Sequence, residues 1–401
     1  MATITYTRIG ELKLPKQTPS HALLFSESGD HLVTGSNDEC VRLWDVSTFK
    51  CTQTVCHPQG NWGQITSLAW VSLQVRGQAA SSSALCVGSA RGVVSILPFS
   101  RTRKTLISSE MKSSAVFPLD LPIESLAYDS ANHQLVVAGH YSQVKAYKLK
   151  GDYILEPLWQ SPLLDYVSMD AHFFGTDFVV VFLLQPGEMV CLSASSGAIQ
   201  WRKKLSGAVG AAVLSDSSDR LLVNNLNTNN FDIYKFPSNT NRKTLMIPEA
   251  ASASHKLKNG IFVGTDDEFA VCGSLHGKVY IFDVKSGECM AKLDHDSKCG
   301  VPVQSLAHYR NDKKALLASS SASLGPSPVG KIYIWKKTSP LATAPRVNTE
   351  HYFSFLFDAR FMIICLGLYV TSQSWLPHIY QALEKAALAM TPVLERLQFS
   401  S

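Results

Sequence analysis

The stretch Thr34-Gly35-Ser36-Asn37-Asp38-Glu39-Cys40-Val41-Arg42-Leu43-Trp44-Asp45 reads as two short strands joined by a tight turn. The first ends in small residues, and the second closes on a large aromatic. Asn and Asp between them tolerate the left-handed backbone that a hairpin turn requires. The second half of the pattern, an apolar residue followed three positions later by an aromatic or large aliphatic one, recurs along the chain. It stands at Val41…Trp44, Val93…Ile96, Val144…Tyr147, Met189…Leu192, Phe231…Tyr234, Val279…Phe282 and Ile332…Trp335. Successive copies lie about 42 to 53 residues apart, the period of a repeat array rather than of several unrelated domains.

Two further features recur in fixed order around each copy. A strand ending in small residues precedes it, as in Cys86-Val87-Gly88-Ser89 or Ala270-Val271-Cys272-Gly273-Ser274, with Val181-Phe182 and Asn224-Asn225 as the departures in units 4 and 5. Upstream again lies a β-prone segment (22–26, 66–70, 124–128, 167–172, 210–214, 259–264 and 303–308), and downstream a more polar strand such as 50–56 or 288–294. Four strands repeated seven times predict an all-β, seven-bladed β-propeller of four-stranded antiparallel blades. The seventh unit supplies three strands and stops at Trp335-Lys336-Lys337. Residues 3–9, Thr-Ile-Thr-Tyr-Thr-Arg-Ile, are the available fourth strand, and pairing them there would close the ring and cover its open edges.

Residues 34–45 resemble the signature of the WD40 repeat family, and so do Cys272 to Asp283 with Ser286-Gly287-Glu288-Cys289 after them. The resemblance spans roughly residues 4–338 and implies a propeller that binds other proteins. The family's Gly-His dipeptide between blades is largely absent, with Asp294-His295 the nearest approach. The His–Ser/Thr–Trp–Asp hydrogen-bond tetrad that the family builds on it is therefore expected to be incomplete in most blades.

Composition narrows the function. Apolar residues make up 45% and charged ones 17%, enough for a packed core and too few charges for a disordered chain. A net charge of +5 falls short of a nucleic-acid footprint, so nucleic acid is not an expected partner. The nine cysteines show no C-x-x-C spacing, which points to reduced thiols in the cytoplasm and to no zinc site. No nucleophile elbow or His-Glu-x-x-His is present, and Gly273–Lys278 imitates a phosphate loop only in a strand-to-strand turn. Neither catalysis nor a cofactor is expected. His57, His140, His276 and His295 fall in loops, where a solvated histidine is the ordinary reading. The basic runs 101–104, 202–204 and 242–243 read as solvated rim residues or as an anionic-membrane contact.

Propellers bind through end loops, and there Trp62 is the leading candidate, a large aromatic among turn formers of the type that anchors interfaces. Asn37, Asp38, Arg91, Tyr141 and His276 lie in turns expected at the same end. After a linker (339–350), residues 351–401 change character. Phe353, Phe355 and Phe357 lead into the apolar run 361–370 with Phe361, Ile363, Ile364, Leu366 and Leu368; Trp375 and an amphipathic helical pattern follow. About ten apolar residues are too few to span a bilayer unaided. The tail reads as a membrane anchor through residues 353–376, as a helical lid or partner-binding helix, or as a segment without order. If it inserts, Lys336, Lys337 and Arg346 favour a propeller on the cytosolic face. The leading function is an interaction scaffold, with the tail as its candidate tether. The alternative is a membrane-anchored guanine-nucleotide exchange factor-like regulator of a small GTPase. That alternative rests on the shared order of propeller and tail in the exchange factor that starts COPII coat assembly; the Gly-rich loop of that family is missing here.

Overall fold

The computed structural model describes residues 4–15, 18–73, 82–248, 259–296, 300–322 and 330–338. The tail reading, with its helical pattern, falls on residues outside these. Seven antiparallel sheets follow one another along the chain. In each, strands a to d run outward as a meander; blade 1, for example, consists of Ser20–Phe25, His31–Ser36, Cys40–Asp45 and Lys50–Cys56. The innermost strands touch in cyclic order, and that of blade 7 (Val303–Arg310) returns to that of blade 1. They enclose a channel of about 190 Å³ lined by every blade, from His21 to Ser305. Blade 2 departs from four strands: its outer edge is split into Thr105–Leu106 and Lys112–Ala115 around a 3-10 turn, making five.

Strands b and c are apolar on both faces because both faces are covered by neighbouring blades. His31–Ser36 and Gln134–Gly139 are buried at every position. Outer strands instead alternate; Ile199–Lys204 is half-buried at every other residue and exposed between. The buried side chains gather into seven clusters, one at each blade–blade interface. Between blades 1 and 2, for instance, Val33, Val41 and Leu43 meet Ile65, Leu85 and Leu97.

The small residues closing strand b let these interfaces form. A Cβ on Gly35 would stand 2.3 Å from Ile65 Cγ2, one on Gly88 2.9 Å from Ile123 Cγ2, and one on Gly273 2.8 Å from Val303 Cβ. In each case the neighbour is a β-branched residue on strand a of the next blade, so the glycine leaves the space that the next blade fills. Blade 5 has Asn224-Asn225 there and uses polar contacts: Asn224 Nδ2 donates to Asn259 Oδ1 of the next blade at 3.0 Å, while Asn225 bonds within its own blade. The buried Asp232 carboxylate accepts from Asn225 Nδ2 and Ser206 Oγ at 2.8 Å and from Thr244 Oγ1 at 2.6 Å. Those donors offset the cost of removing the carboxylate from water.

Closure takes place at the expected sheet with a shifted strand. Tyr6–Lys13, rather than residues 3–9, pairs antiparallel with the third strand of blade 7, Lys331–Lys337, from Tyr6↔Lys337 to Lys13↔Lys331. Gly10 does not end the strand. A bulge between Arg8 and Gly10 leaves Ile9 out of register, and the missing Gly10 Cβ makes room for the Phe49 ring of blade 1. Leu12 and Leu14 enter the cluster between blades 7 and 1, and Ile4 and Tyr6 the one between blades 6 and 7.

Two outcomes follow for stability. Leu12→Ala should cost about 2–5 kcal/mol in urea unfolding, and removal of residues 1–13 should abolish a single cooperative transition; a truncated chain that melts like the wild type would refute closure by this strand. Gly35→Ala should cost about 1–3 kcal/mol by forcing Ile65 aside.

Candidate functional site

In an antiparallel meander the b–c turn and the connection to the next blade lie at one end, and the a–b and c–d turns at the other. The candidates Asn37, Asp38, Arg91, Tyr141 and His276 occupy b–c turns and Trp62 an interblade connection, so all six fall at one end, the upper face. Their roles divide there. Trp62 is fully buried and packs in the core between blades 1 and 2, with its Nε1 donating to Ser95 Oγ at 2.8 Å. It is a core residue, not a partner contact, because its indole N–H finds a buried hydroxyl in the adjoining blade. The Asp38 carboxylate is engaged by Arg42, whose side chain is buried, with Nη1 to Oδ1 at 3.0 Å and a second, shorter bond from Nη2. Arg91 ties neighbouring connections together, donating to Gly60 O at 3.2 Å and standing 4.0 Å from Asp120. Asn37 is exposed, while Tyr141 and His276 are half-buried. Tyr141 lies against the Phe117 ring at 5.3 Å, with Lys145 over its face at 4.9 Å.

The hydrogen bonds that bracket the blades are kept in part. In blade 7, Trp335 Nε1 donates to Ser319 Oγ at 2.9 Å, and Ser319 lies 2.8 Å from His295 Nδ1. Ser319 Oγ thus bridges the indole of Trp335 and the imidazole of His295. In blade 1, Trp44 Nε1 donates to Thr34 Oγ1 at 3.0 Å. His295, expected in solvent, is 2% exposed, and burial pushes its pKa down to about 4. Residues 15–45, strand c of blade 1 included, match the family model described as WD domain, G-beta repeat. Blade 1 of the seven-bladed propeller therefore carries a WD40-type repeat. No curated protein matches it.

What the sequence did not disclose is a set of large exposed apolar side chains on the upper-face connections of blade 3. Leu119 is 74% exposed, Leu163 69% and Tyr166 43%. They sit on the connections into and out of that blade, and both connections are hydrogen-bonded to the same b–c turn, His140 N to Pro122 O at 2.9 Å and Leu164 N to Ser142 O at 2.6 Å. The three side chains therefore stand at one end of the propeller, on connections fastened to one turn. Pro118-Leu119-Asp120 and Pro162-Leu163 look like ordinary loops, so composition offered only a faint signal.

The expectation of reduced thiols fails at one pair. Cys40 and Cys56, opposite each other on strands c and d of blade 1, form a disulfide. Hairpin register, which no motif spacing encodes, brings them together, and the thiol argument for a cytoplasmic location loses force accordingly. Cys86, Cys191 and Cys272 are buried, and burial pushes their thiols up, away from thiolate chemistry. Among the described residues no group of three or more His, Cys, Asp or Glu side chains is arranged to hold a metal ion.

Two measurements check these assignments. Trp62→Ala should cost about 3–5 kcal/mol of stability, the reverse of what an exposed contact residue would show. His295 binds its proton more weakly folded than unfolded, so between pH ~6.5 and ~4 the unfolded state takes up the additional proton. Stability should then fall with acid across that window by a few kcal/mol, on the order of 3. His295→Gln should flatten this slope in pH-dependent melts.

Proposed function

We propose that the chain is a non-catalytic scaffold that docks a partner protein on the upper face of blade 3, with Leu119, Leu163 and Tyr166 as the apolar centre. WD40 propellers are typical protein-interaction scaffolds. The observation that carries the specific reading is the presence of three large exposed apolar side chains on two connections fastened to one turn. The same connections and turn also carry Asp120, which stands 4.0 Å from Arg91, and His140, which pairs with Glu124 at 2.9 Å, so apolar and polar groups are combined as interfaces combine them. Docking of a complementary apolar surface would remove them from water at about 25 cal/mol per Å² before the costs of association.

Replacing Leu119 and Leu163 together by Asp should reduce partner binding at least about tenfold and leave the melting temperature unchanged, as both side chains already face solvent. Undiminished binding of a co-purifying partner by this variant would refute the assignment.

The finer reading adds tethering by residues 353–376, supported by the unbroken apolar run 361–370 flanked by Phe353, Phe355, Phe357 and Trp375. Membrane-bound full-length chain should then resist carbonate extraction, and release by carbonate would replace a spanning anchor with interfacial contact.

A further inference from the structure

The opposite, lower face carries a groove across blade 1. Its first lobe, a cavity of about 430 Å³ between blades 1 and 2, has an apolar wall of half-buried Trp70 and Phe99, whose rings meet edge-to-face at 5.4 Å, with His31 on the other side of Phe99 at 6.2 Å. Trp70 Nε1 is already satisfied by Phe25 O at 2.9 Å, so the indole adds apolar surface without an unmet donor. Arg101 spans the rim, donating to Ser83 Oγ at 2.8 Å and to Glu27 Oε2 at 3.3 Å. The second lobe, about 450 Å³ between blades 7 and 1, shares Asp30 and Lys104 with the first and is bordered by Asp45, Lys314 and Lys336. Both volumes lie in the range of ligand-binding clefts.

The charges in the groove are asymmetric. Lys314 is paired with Asp30 at 3.1 Å and Arg101 with Glu27. Lys104 and Lys336 are exposed and, among the described residues, have no carboxylate at ion-pair distance. Lys104 is held in place by its turn at a φ of 56°. We propose that this groove binds an acidic peptide segment of a partner protein, with an aromatic side chain seated against Trp70 and Phe99 and its carboxylates paired with Lys104 and Lys336. Four cations against three carboxylates, Glu27, Asp30 and Asp45, leave a small positive excess. That excess suits one or two carboxylates. The same three acids would repel a densely charged phosphate, and Asp45 stays ionised because hydrogen bonds from the Ser47 hydroxyl and from Thr48 hold it down at about 2. The upper-face reading of the preceding subsection is independent of this site.

The probe is a fluorescein-labelled, C-terminally amidated peptide, Gly-Ser-Phe-Asp-Gly-Asp-Gly, titrated with the full chain and followed by anisotropy. Saturable micromolar binding is expected. Replacing Phe by Ala in the peptide, or Lys104→Asn with Lys336→Gln in the protein, should each weaken it about tenfold. Both lysines face solvent, and Asn tolerates the left-handed turn position, so the melting temperature of the double variant should match the wild type. The Leu119/Leu163 variant should bind the probe normally. Absence of saturation at about 1 mM peptide, or equal binding by the lysine variant, would overturn the proposal. Tighter binding of inositol hexakisphosphate or of phosphoinositide vesicles, lost with the same lysines, would overturn it in favour of a phosphate site.

Discussion

Pairing of Tyr6–Lys13 with Lys331–Lys337 holds the first and last blades together, and every interface between blades depends on it. An open array of seven sheets would expose the apolar faces of blade 1 and blade 7 and leave the unpaired backbone of Lys331–Lys337 as an edge for another chain. The closing strand removes both problems at once. It supplies Leu12 and Leu14 to one interblade core and Ile4 and Tyr6 to the next, so it is part of two packing units as well as one ladder. Because its partner lies more than 300 residues away, closure couples the beginning of the fold to its end.

Within the ring, one steric rule is met by several chemistries. Glycines at the end of strand b accept Ile65, Ile123 and Val303 from the following blade. Where glycine is missing, blade 5 meets blade 6 through a buried side-chain bond, Asn224 Nδ2 donating to Asn259 Oδ1 at 3.0 Å. The Trp–Ser/Thr bond persists in blades 1 and 7, and in blade 2 the buried bond to Ser95 comes from Trp62 on the preceding connection. Buried polar groups are acceptable here because each bracket spans two segments and leaves the indole donor satisfied.

The two ends of the propeller differ in character. The upper face presents apolar side chains on loops braced by backbone hydrogen bonds, a surface suited to a complementary apolar patch. The lower face presents concavity, aromatic edges and uncompensated lysines, which suit an extended acidic segment. A scaffold with two dissimilar faces can hold two partners without competition between them.

The sequence by itself determined the blade number, the strand order within blades, the source of the closing strand and the turn that bears each polar candidate. These are local or periodic properties: small residues before turns, apolar runs on strands covered on both faces, Asn, Asp and Gly where the backbone reverses. Even so, the closing strand moved from residues 3–9 to 6–13, because the bulge at Gly10 exists only against Phe49 of a neighbouring blade. Tertiary structure alone decided which loop side chains turn inward. Trp62 and His295 look like solvent-facing residues in their own segments and are buried because Ser95 and Ser319 wait in adjoining strands. Leu119 and Leu163 look no different in kind, yet stay in water. Whether a loop residue is core or contact depends on partners 24 to 33 residues away in the cases of His295 and Trp62, a distance over which local composition carries no information.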